Sequence, residues 1–222
     1  MTIHRFEILG SPNLGIYALA TDTYALVPTG VSEGKLAKIR KVLGVDVCQI
    51  DVGESKLNGV LAAGNTHGIA LPYYSSEEEV RLLKRELRDI NVERLAGKKT
   101  ALGNLILLND KGAVVDPSFQ PSEMRALADI FDVEVHPAEI AHLPYVGSFA
   151  AATNRGALLH PHAEEEEKAL ITEVLKVPVD VGTVNGGVPY VASGILVNVR
   201  GALVGSTTTG PEILIISNIF EV

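Results

Sequence analysis

The chain is poor in the residues that mark several common classes of protein. Its 222 residues include no tryptophan and a single cysteine, so no internal disulfide can form and the composition is typical of a reducing compartment. No apolar run approaches the roughly 18 to 20 residues needed to cross a bilayer. The start, MTIHRFEIL, has no long apolar segment behind a basic stretch. We therefore expect a soluble cytoplasmic protein with no membrane partner.

Net positive charge is also absent. The chain has 19 lysines and arginines against 27 aspartates and glutamates, a formal net charge of −8 at pH 7. This balance argues against a general nucleic-acid coat and against binding to anionic membranes, although a local basic face is compatible with it. Hydrophobic residues make up 46% of the chain, which is enough to bury a sizeable core.

The sequence does contain a unit of about 44 residues that recurs five times along a single domain, residues 1–222. Two sets of positions keep the same intervals: Tyr24, Gly68, Gly112, Gly156 and Gly201, and Gly15, Gly59, Gly103, Gly147 and Ala192. The repeats run approximately over 10–53, 54–97, 98–141, 142–186 and 187–222. Because a unit of this size cannot bury its apolar face alone, the repeats must pack on one another.

Each repeat is predicted to contain a hairpin, a helix and a further strand. In the second repeat, Leu57 to Ala63 and Gly68 to Leu71 are predicted strands around a turn. Ser76 and Glu79 form a capping-box pattern ahead of an amphipathic helix from Glu77 to Arg88. We expect positive φ angles at the glycines that follow the polar turns, namely Gly68, Gly112 and Gly156.

The fifth repeat differs from the others. Its Ser-Thr run and Gly210 replace the predicted helix, and a final strand is predicted from Glu212 to Val222. Strand-like segments at both chain ends, His4 to Leu9 and Ile213 to Phe220, would then complete a ring. Mixed hairpins and helices exclude all-helical solenoids and four-stranded propeller blades. The prediction is a five-bladed α/β propeller with pseudo-fivefold symmetry, with helices outside and short strands around the axis.

Four long strings resemble the translation initiation factor 6 family, archaeal type. They are GNTHGIALP (Gly64 to Pro72), TALGNLILLND (Thr100 to Asp110), TNRGALLHP (Thr153 to Pro161) and VGTVNGGVPYVASGILVN (Val181 to Asn198). The resemblance covers essentially the whole chain. It implies the pentein propeller fold, which agrees with the ring inferred from the repeat.

The resemblance also implies a non-enzymatic function. Members of the family bind the intersubunit face of the large ribosomal subunit, beside the universal ribosomal protein fourteen and near the sarcin/ricin loop. There they act in translation initiation and ribosome biogenesis as anti-association factors, because they block joining of the small subunit. Release in the family requires an elongation-factor-like GTPase and its partner protein. We expect a monomer without cofactor or metal.

The loops that lead into the hairpins lie together on one rim of the predicted ring, which we call the loop rim, and the tight turns lie on the opposite turn rim. Basic residues of the loop rim are confined to repeats two and three. The residues expected to meet the ribosome are Lys56, Asn58, Arg94, Lys98, Lys99, Thr100, Gly103 and Asn104. The resemblance favours Asn104 as a contact to the ribosomal protein. Lys98 and Lys99 are candidates for rRNA phosphates, and a solvated loop is the alternative.

An enzymatic alternative is considered because penteins also include guanidino-modifying enzymes that use Cys, His and acidic residues. Cys48, Glu93, His136 and Asp180 occupy equivalent positions after the helices and would converge if their strands lined the axis. In those enzymes the nucleophilic cysteine lies in the last repeat, whereas Cys48 lies in the first. We therefore expect Cys48 to be a small apolar core residue and the protein not to be an enzyme.

Two further patterns resemble ligand sites. His160 and His162 flank Pro161, but no further ligand is near in the sequence, so a surface turn is expected rather than a zinc site. Gly182, Gly186 and Gly187 match a phosphate-binding loop only in composition, since no Lys-Ser/Thr follows them.

Overall fold

Residues 2–222, described by a computed structural model, form fifteen strands, five long helices and five short ones. The strands are β1 (Ile3–Phe6), β2 (Leu19–Ala20), β3 (Tyr24–Val27), β4 (Asp46–Gln49), β5 (Ala63–Gly64), β6 (Gly68–Pro72), β7 (Asn91–Leu95), β8 (Ile106–Leu108), β9 (Ala113–Val115), β10 (Val135–Pro137), β11 (Ala150–Ala152), β12 (Ala157–Leu159), β13 (Val179–Val181), β14 (Ile195–Asn198) and β15 (Gly201–Gly205). The long helices are α2 (Glu33–Leu43), α4 (Glu77–Glu86), α6 (Pro121–Phe131), α8 (Glu165–Leu175) and α9 (Gly210–Phe220). The short ones are α1 (Leu14–Tyr17), α3 (Asn58–Leu61), α5 (Leu102–Leu105), α7 (Val146–Phe149) and a 3-10 helix (Val191–Gly194).

The strands make five three-stranded sheets, in the orders β2-β3-β4, β5-β6-β7, β8-β9-β10, β11-β12-β13 and β14-β15-β1. In each sheet the first two strands form an antiparallel hairpin, and the third strand pairs parallel with the second. The first strands contact one another around the axis and the third strands lie outermost. The predicted five-bladed α/β propeller is confirmed.

The long helices pack between neighbouring sheets, and the core consists of five clusters of buried apolar side chains, one at each interface between sheets. Within residues 2–222, no helix is both long enough and apolar enough to span a membrane.

The first strand of the chain closes the ring. β1 pairs parallel with β15, in a register that runs from Ile3 opposite Ala202 to Phe6 opposite Gly205. The expectation for the amino-terminal strand is therefore correct, but the expectation of a carboxy-terminal strand is wrong because the fifth repeat has its helix, α9. Thr209 and Glu212 form a capping box at the start of that helix. Isoleucines favour strands in isolation, but here the cap and a buried helical face decide the conformation.

The first half of the hairpin predicted in the second repeat also differs from the expectation. The segment from Leu57 to Ala63 was predicted as a strand, but Asn58–Leu61 forms α3 and the following strand contains only Ala63–Gly64. The five short helices, one from each repeat, contact one another around the axis. This contact is between distant parts of the chain, so the local sequence pattern does not predict it.

The recurring glycines at or just before the start of the second strand of each hairpin in repeats two to four are required for close packing. A Cβ atom on Gly112 would lie 2.1 Å from the carbonyl oxygen of Val174 in α8, the long helix of the next repeat. Cβ atoms on Gly68 and Gly156 would lie 2.0 Å from helix carbonyl oxygens in the same way. None of the three has a positive φ, so that expectation is wrong. Glycine is needed because the neighbouring helix backbone occupies the Cβ position.

Asparagine side chains at the turn rim tie the ends of three long helices to the neighbouring repeats. The amide of Asn109 donates to the carbonyl oxygens of Leu175, at 2.9 Å, and Thr153, at 3.0 Å. Asn65 and Asn198 make the same pair of bonds one repeat before and two repeats after. These bonds satisfy helix carbonyls that would otherwise lack partners. The turn rim is therefore largely occupied by contacts within the ring.

Candidate functional site

The loop rim comprises residues 7–17, 50–61, 96–105, 138–149 and 182–194, which lead into the hairpins, and the loops 28–32, 73–76, 116–120, 160–164 and 206–209, which lead into the long helices. At its centre the five short helices form a closed ring around the axis. A Cβ atom on Gly59 would lie 1.9 Å from the carbonyl oxygen of Gly15, and one on Gly103 would lie 2.0 Å from that of Gly59. The backbones are thus in direct contact, which makes the rim a rigid platform.

A cavity of about 370 Å³ opens above this ring on the axis. Its lining includes Ile16, Val60, Asn104, Ser148 and Ser193, the equivalent residues of the five repeats. Asn104 is partly exposed, and its side-chain amide makes no hydrogen bond to any residue that the structure describes. Two amide hydrogens and a carbonyl oxygen are therefore available to a partner at the centre of the rim.

Large apolar side chains are concentrated on the loop rim. Seven of the nine that are exposed in residues 2–222 lie there: Leu9, Leu57, Tyr73, Tyr74, Leu143, Tyr145 and Tyr190. The other two, Leu170 and Leu214, lie on long helices. Exposed apolar groups concentrated on one face are typical of a surface that binds another macromolecule.

Two tyrosines on this rim are held by a buried phenylalanine. The ring of Tyr190 stacks on Phe149 with centroids 5.5 Å apart, and Tyr145 meets Phe149 edge to face at 6.4 Å. About half of each tyrosine is exposed, 50% for Tyr145 and 52% for Tyr190. Fixed aromatic rings of this kind offer contact area at low cost in conformational entropy.

The cations predicted for this rim differ in their partners. Lys98 is exposed and makes neither a hydrogen bond nor an ion pair within residues 2–222. Lys99 is partly buried, because its ammonium donates to the carbonyl of Ser118 at 2.9 Å and lies 4.6 Å from the ring centroid of Phe119. Lys98 is therefore the lysine of this pair whose charge is available to a partner.

Lys56 and Arg94 are also held internally. The Lys56 ammonium donates to the carbonyl and hydroxyl of Thr29, at 2.8 and 3.0 Å. The Arg94 guanidinium donates to the carbonyl of Ser75 and to the carboxylate of Glu77. Both side chains nevertheless stay exposed enough to contribute to the field of the rim.

The remaining predicted contact residues are Asn58, Thr100 and Gly103, and two of them have roles within the fold. Asn58 is fully buried, accepts from the N–H of Val52 at 3.0 Å and donates to the carbonyl of Ile50 at 2.7 Å. Because it is buried, Asn58 cannot contact a partner on this surface. Gly103 belongs to the axial ring of glycines, and Thr100 is partly exposed just before α5.

Sequence reasoning missed one recurring device of the rim. The third residue of four long helices is a glutamate, namely Glu79, Glu123, Glu167 and Glu212. In three of these repeats the carboxylate accepts two consecutive backbone N–H groups of a rim turn: Gly53 and Glu54 donate to Glu79, Ala141 and His142 to Glu167, and Gly186 and Gly187 to Glu212. The spacing of the glutamates, which matches the repeat, was the signal that could have revealed it.

The Gly186–Gly187 loop is thus filled by the protein's own carboxylate. Burial raises the pKa of Glu212, but hydrogen bonds from the Thr209 N–H, the Thr183 hydroxyl and the Gly187 N–H outweigh it and lower the pKa to about 2. Burial likewise opposes the backbone hydrogen bonds that lower the pKa of Glu167. Both carboxylates are therefore charged at neutral pH, and they are the anions to which the backbone N–H groups of these turns donate.

The four residues considered for catalysis lie apart. Cys48, Glu93, His136 and Asp180 have equivalent registers on β4, β7, β10 and β13, but these strands are outermost in their sheets. These strands do not line the axis, so the condition under which the four side chains would converge is not met. Burial, aided by the nearby Glu86, raises the pKa of the Cys48 thiol to about 11, which disfavours the thiolate.

His160 and His162 contact each other at the loop rim. Their ring centroids are 5.3 Å apart, and His160 Nδ1 accepts the N–H of His162 at 3.1 Å. Burial lowers the pKa of His160. In the part of the chain that the structure describes, no group of three or more His, Cys, Asp or Glu side chains is arranged to hold a metal ion.

The architecture and the rim define a five-bladed α/β propeller of the pentein type. The family model described as "eIF-6 family" matches residues 3–219. Curated relatives named "Translation initiation factor 6" include those of Pyrococcus abyssi (strain GE5 / Orsay), 43% identical over 218 residues and 96% of each chain, and Thermococcus onnurineus (strain NA1), 41% identical over 218 residues and 96% of each chain. That of Methanococcus maripaludis (strain C5 / ATCC BAA-1333) is 40% identical over 210 residues and 92% of each chain.

The chain belongs to the eIF-6 family, and its relatives support a role as a translation initiation factor. Among solved structures, C. jejuni agmatine deiminase matches with a TM-score of 0.37 and 12% identity, covering 57% of this chain and 50% of that chain. Similarity at this level supports no conclusion about activity.

Proposed function

We propose that this protein binds the intersubunit face of the large ribosomal subunit through its loop rim and thereby prevents association with the small subunit. The observation that carries the proposal is the concentration of exposed apolar side chains on one rim of a closed ring, around an axial amide and a lysine without internal partners. The relatives' role in translation supplies the context.

The mechanism is steric. A ring that occupies the intersubunit face makes its own binding and subunit joining mutually exclusive. Its effect on the subunit equilibrium is then RT ln(1 + [L]/Kd), where [L] is the free concentration of the protein and Kd is its dissociation constant for the free large subunit. The rigidity of the glycine-packed rim helps because little conformational entropy is lost when it docks.

The partners are distributed over the rim. Asn104 meets the universal ribosomal protein fourteen at the centre, and Lys98 approaches rRNA phosphates in the neighbourhood of the sarcin/ricin loop. The apolar rim residues provide the contact area between them. The protein acts as a cytoplasmic monomer and without catalysis. An elongation-factor-like GTPase with its partner protein releases it, an assignment that rests on the family alone.

Sedimentation tests the proposal. Purified large subunits are pelleted with the protein, and small subunits are then added. We expect co-sedimentation with the large subunit and loss of joined particles. A protein that stays in the supernatant at micromolar concentration would contradict the proposal.

A matched pair of variants locates the docking surface. Asn104→Asp replaces the amide donor by a charge at the centre of the loop rim, and Asn91→Asp makes the same change at an exposed position at the start of β7, towards the turn rim. Losing one partner of a buried hydrogen bond costs about 1 to 3 kcal/mol, or roughly five- to 150-fold in affinity. We expect that loss for Asn104→Asp at every salt concentration and wild-type binding for Asn91→Asp. Equal binding by both variants would place the docking surface elsewhere.

A further inference from the structure

The rim turn of the first repeat has the same two-residue form as two of the three turns that hold carboxylates. Leu9 and Gly10 have φ angles of 52° and 78° between the bridged residues Ile8 and Ser11. The corresponding pairs Gly53 and Glu54, and Ala141 and His142, have φ angles of 54° to 59°. Consecutive residues in this conformation direct their N–H groups to one side, where they bind an anion together.

The first repeat lacks the internal carboxylate. The third residue of α2 is Lys35, at the position that holds glutamate in the other four long helices. Neither the N–H of Leu9 nor that of Gly10 donates to any acceptor in residues 2–222. Glu7, the nearest acidic residue along the chain, accepts the Ser206 hydroxyl at 2.6 Å instead. Two aligned donors are therefore left unused.

Lys35 adds positive charge to these donors. Its ammonium donates to the carbonyl oxygen of Glu7 at 2.7 Å, two residues before Leu9. The turn is also accessible, since a Cβ atom on Gly10 would meet nothing within 4 Å and the Leu9 side chain is 41% exposed. The third repeat is not a second such site, because Gly97 has a φ of 137° and Glu123 lies 3.6 Å from Lys99.

We propose that the Ile8–Ser11 turn and Lys35 form an anion site that receives a carboxylate from an acidic side chain of the partner protein docked on the loop rim. The two occupied turns with this backbone show that it binds a carboxylate, at nitrogen-to-oxygen distances of 2.9 to 3.2 Å. Lys35 replaces the internal carboxylate by a cation next to this turn, and a hydrogen bond between an ammonium and a carboxylate is charge-assisted. That the donor is the docked partner rests on the proposed function, whereas the site itself does not.

The site is tested on the isolated protein by following its backbone amide resonances during titration with acetate. We expect saturable shifts at Leu9 and Gly10 and none at Gly53 and Glu54, whose carboxylate is already bound. Lys35→Glu should supply the missing internal ligand, so its Leu9 and Gly10 amides should be shifted before acetate is added and should no longer respond. Lys38→Glu, the same charge change one turn later in the helix, should respond as wild type does.

Three outcomes of the titration overturn the proposal. In the first, the Leu9 and Gly10 amides do not move or move in proportion to acetate without saturation. In the second, Lys35→Glu still responds to acetate. In the third, inorganic phosphate shifts these amides saturably and acetate does not, which would assign the site to a nucleic-acid phosphate.

The partner is tested by pelleting with large subunits. The internal carboxylate of Lys35→Glu blocks the site, so we expect it to bind roughly tenfold more weakly than Lys38→Glu, a typical loss for one charged contact. Equal binding by the two variants, with wild type still pelleting, would overturn the inference and leave the proposed function intact. Failure of the wild type to pellet would overturn the proposed function and, with it, the assignment of the carboxylate to that partner, while the acetate titration still decides the site.

Discussion

The hydroxyl of Tyr24 donates a hydrogen bond to the carbonyl oxygen of Gly68 at 3.4 Å, although the two residues occupy the same position in successive repeats. From the second repeat onwards that position is glycine and a helix carbonyl packs against it. Tyr24 leaves no room for such a contact. A groove of about 540 Å³, lined by Tyr24, Glu86 and Asp89 among others, separates the first repeat from the end of α4. The first repeat thus lacks, at this position, the close helix contact that the other four repeats make.

Replacing Gly112 by alanine tests the close packing of the other interfaces. The new Cβ would lie 2.1 Å from the carbonyl oxygen of Val174, and because that atom is backbone, a helix must shift. We expect the free energy of unfolding to fall by about 1 to 3 kcal/mol, measured by chemical denaturation. Gly34→Ala is the control, because a Cβ there meets nothing within 4 Å in the first turn of α2. It should leave stability unchanged or raise it by up to about 1 kcal/mol, and equal midpoints for the two variants would disprove the packing argument.

The glycines illustrate how far the sequence specifies the fold. Their regular spacing is enough to predict five repeats and a closed ring. The reason for each glycine is not readable from the sequence, because Gly112 packs against Val174 of α8, a helix that belongs to the next repeat and lies far along the chain. Likewise the sequence contains the capping pair Thr209 and Glu212 of α9, but the isoleucines of this segment favour a strand in isolation. Burial of one helical face in the core decides for the helix, and the sequence alone does not show that burial.

Cys48→Ala should leave binding to the large subunit and anti-association intact. The thiol is buried in the cluster between the first two sheets, so we expect a loss of about 1 kcal/mol in the free energy of unfolding for a small deleted group. Thermal melting and the pelleting assay check both parts. A variant that melts cooperatively but no longer blocks subunit joining would contradict the structural role.

Lys98 and Lys99 should respond differently to alanine substitution. Lys98→Ala should keep wild-type stability, weaken binding to the large subunit at low salt and reduce the slope of log affinity against log salt by about one unit. Lys99→Ala should lower the free energy of unfolding by about 1 kcal/mol, because it removes the bond to Ser118 and the contact with Phe119. An unchanged salt slope for Lys98→Ala would exclude a phosphate contact.

Glu212→Gln should change how stability depends on pH. The pKa of Glu212 in the folded protein is about 2, below its ordinary value of 4.5. Its carboxylate therefore stabilises the fold fully above about pH 4.5, and this contribution is lost as the pH falls through about 2. We expect the variant to be less stable than wild type by on the order of 2 kcal/mol at pH 7. The difference should shrink below pH 4.5 in denaturant titrations, and a constant difference down to pH 2.5 would refute the assignment.

The candidate site was only partly readable from the sequence. Lys98 and Asn104 have the exposure expected of contact residues. The side-chain amide of Asn58, in contrast, is hydrogen-bonded to the backbone of Val52 and Ile50. A lysine or asparagine in a loop has the same appearance in sequence whether its polar atoms face solvent or a neighbouring loop. The apolar character of the rim was missed for a related reason, since Tyr145 and Tyr190 are exposed only because Phe149 fills the space beneath them.

Closure of the fifth sheet by β1 has a consequence for synthesis of the chain. Ile3 is synthesised well before its partner Ala202, because thirteen of the other described strands lie between β1 and β15 along the chain. Until then the edge of β1 is unpaired, while the four intervening sheets contain only strands close to one another in sequence. These sheets can form during translation, and the slow step is joining of the two ends, since closing a long loop precedes any gain from its contacts. Among the described strands, β1 is thus synthesised before the others and paired after them.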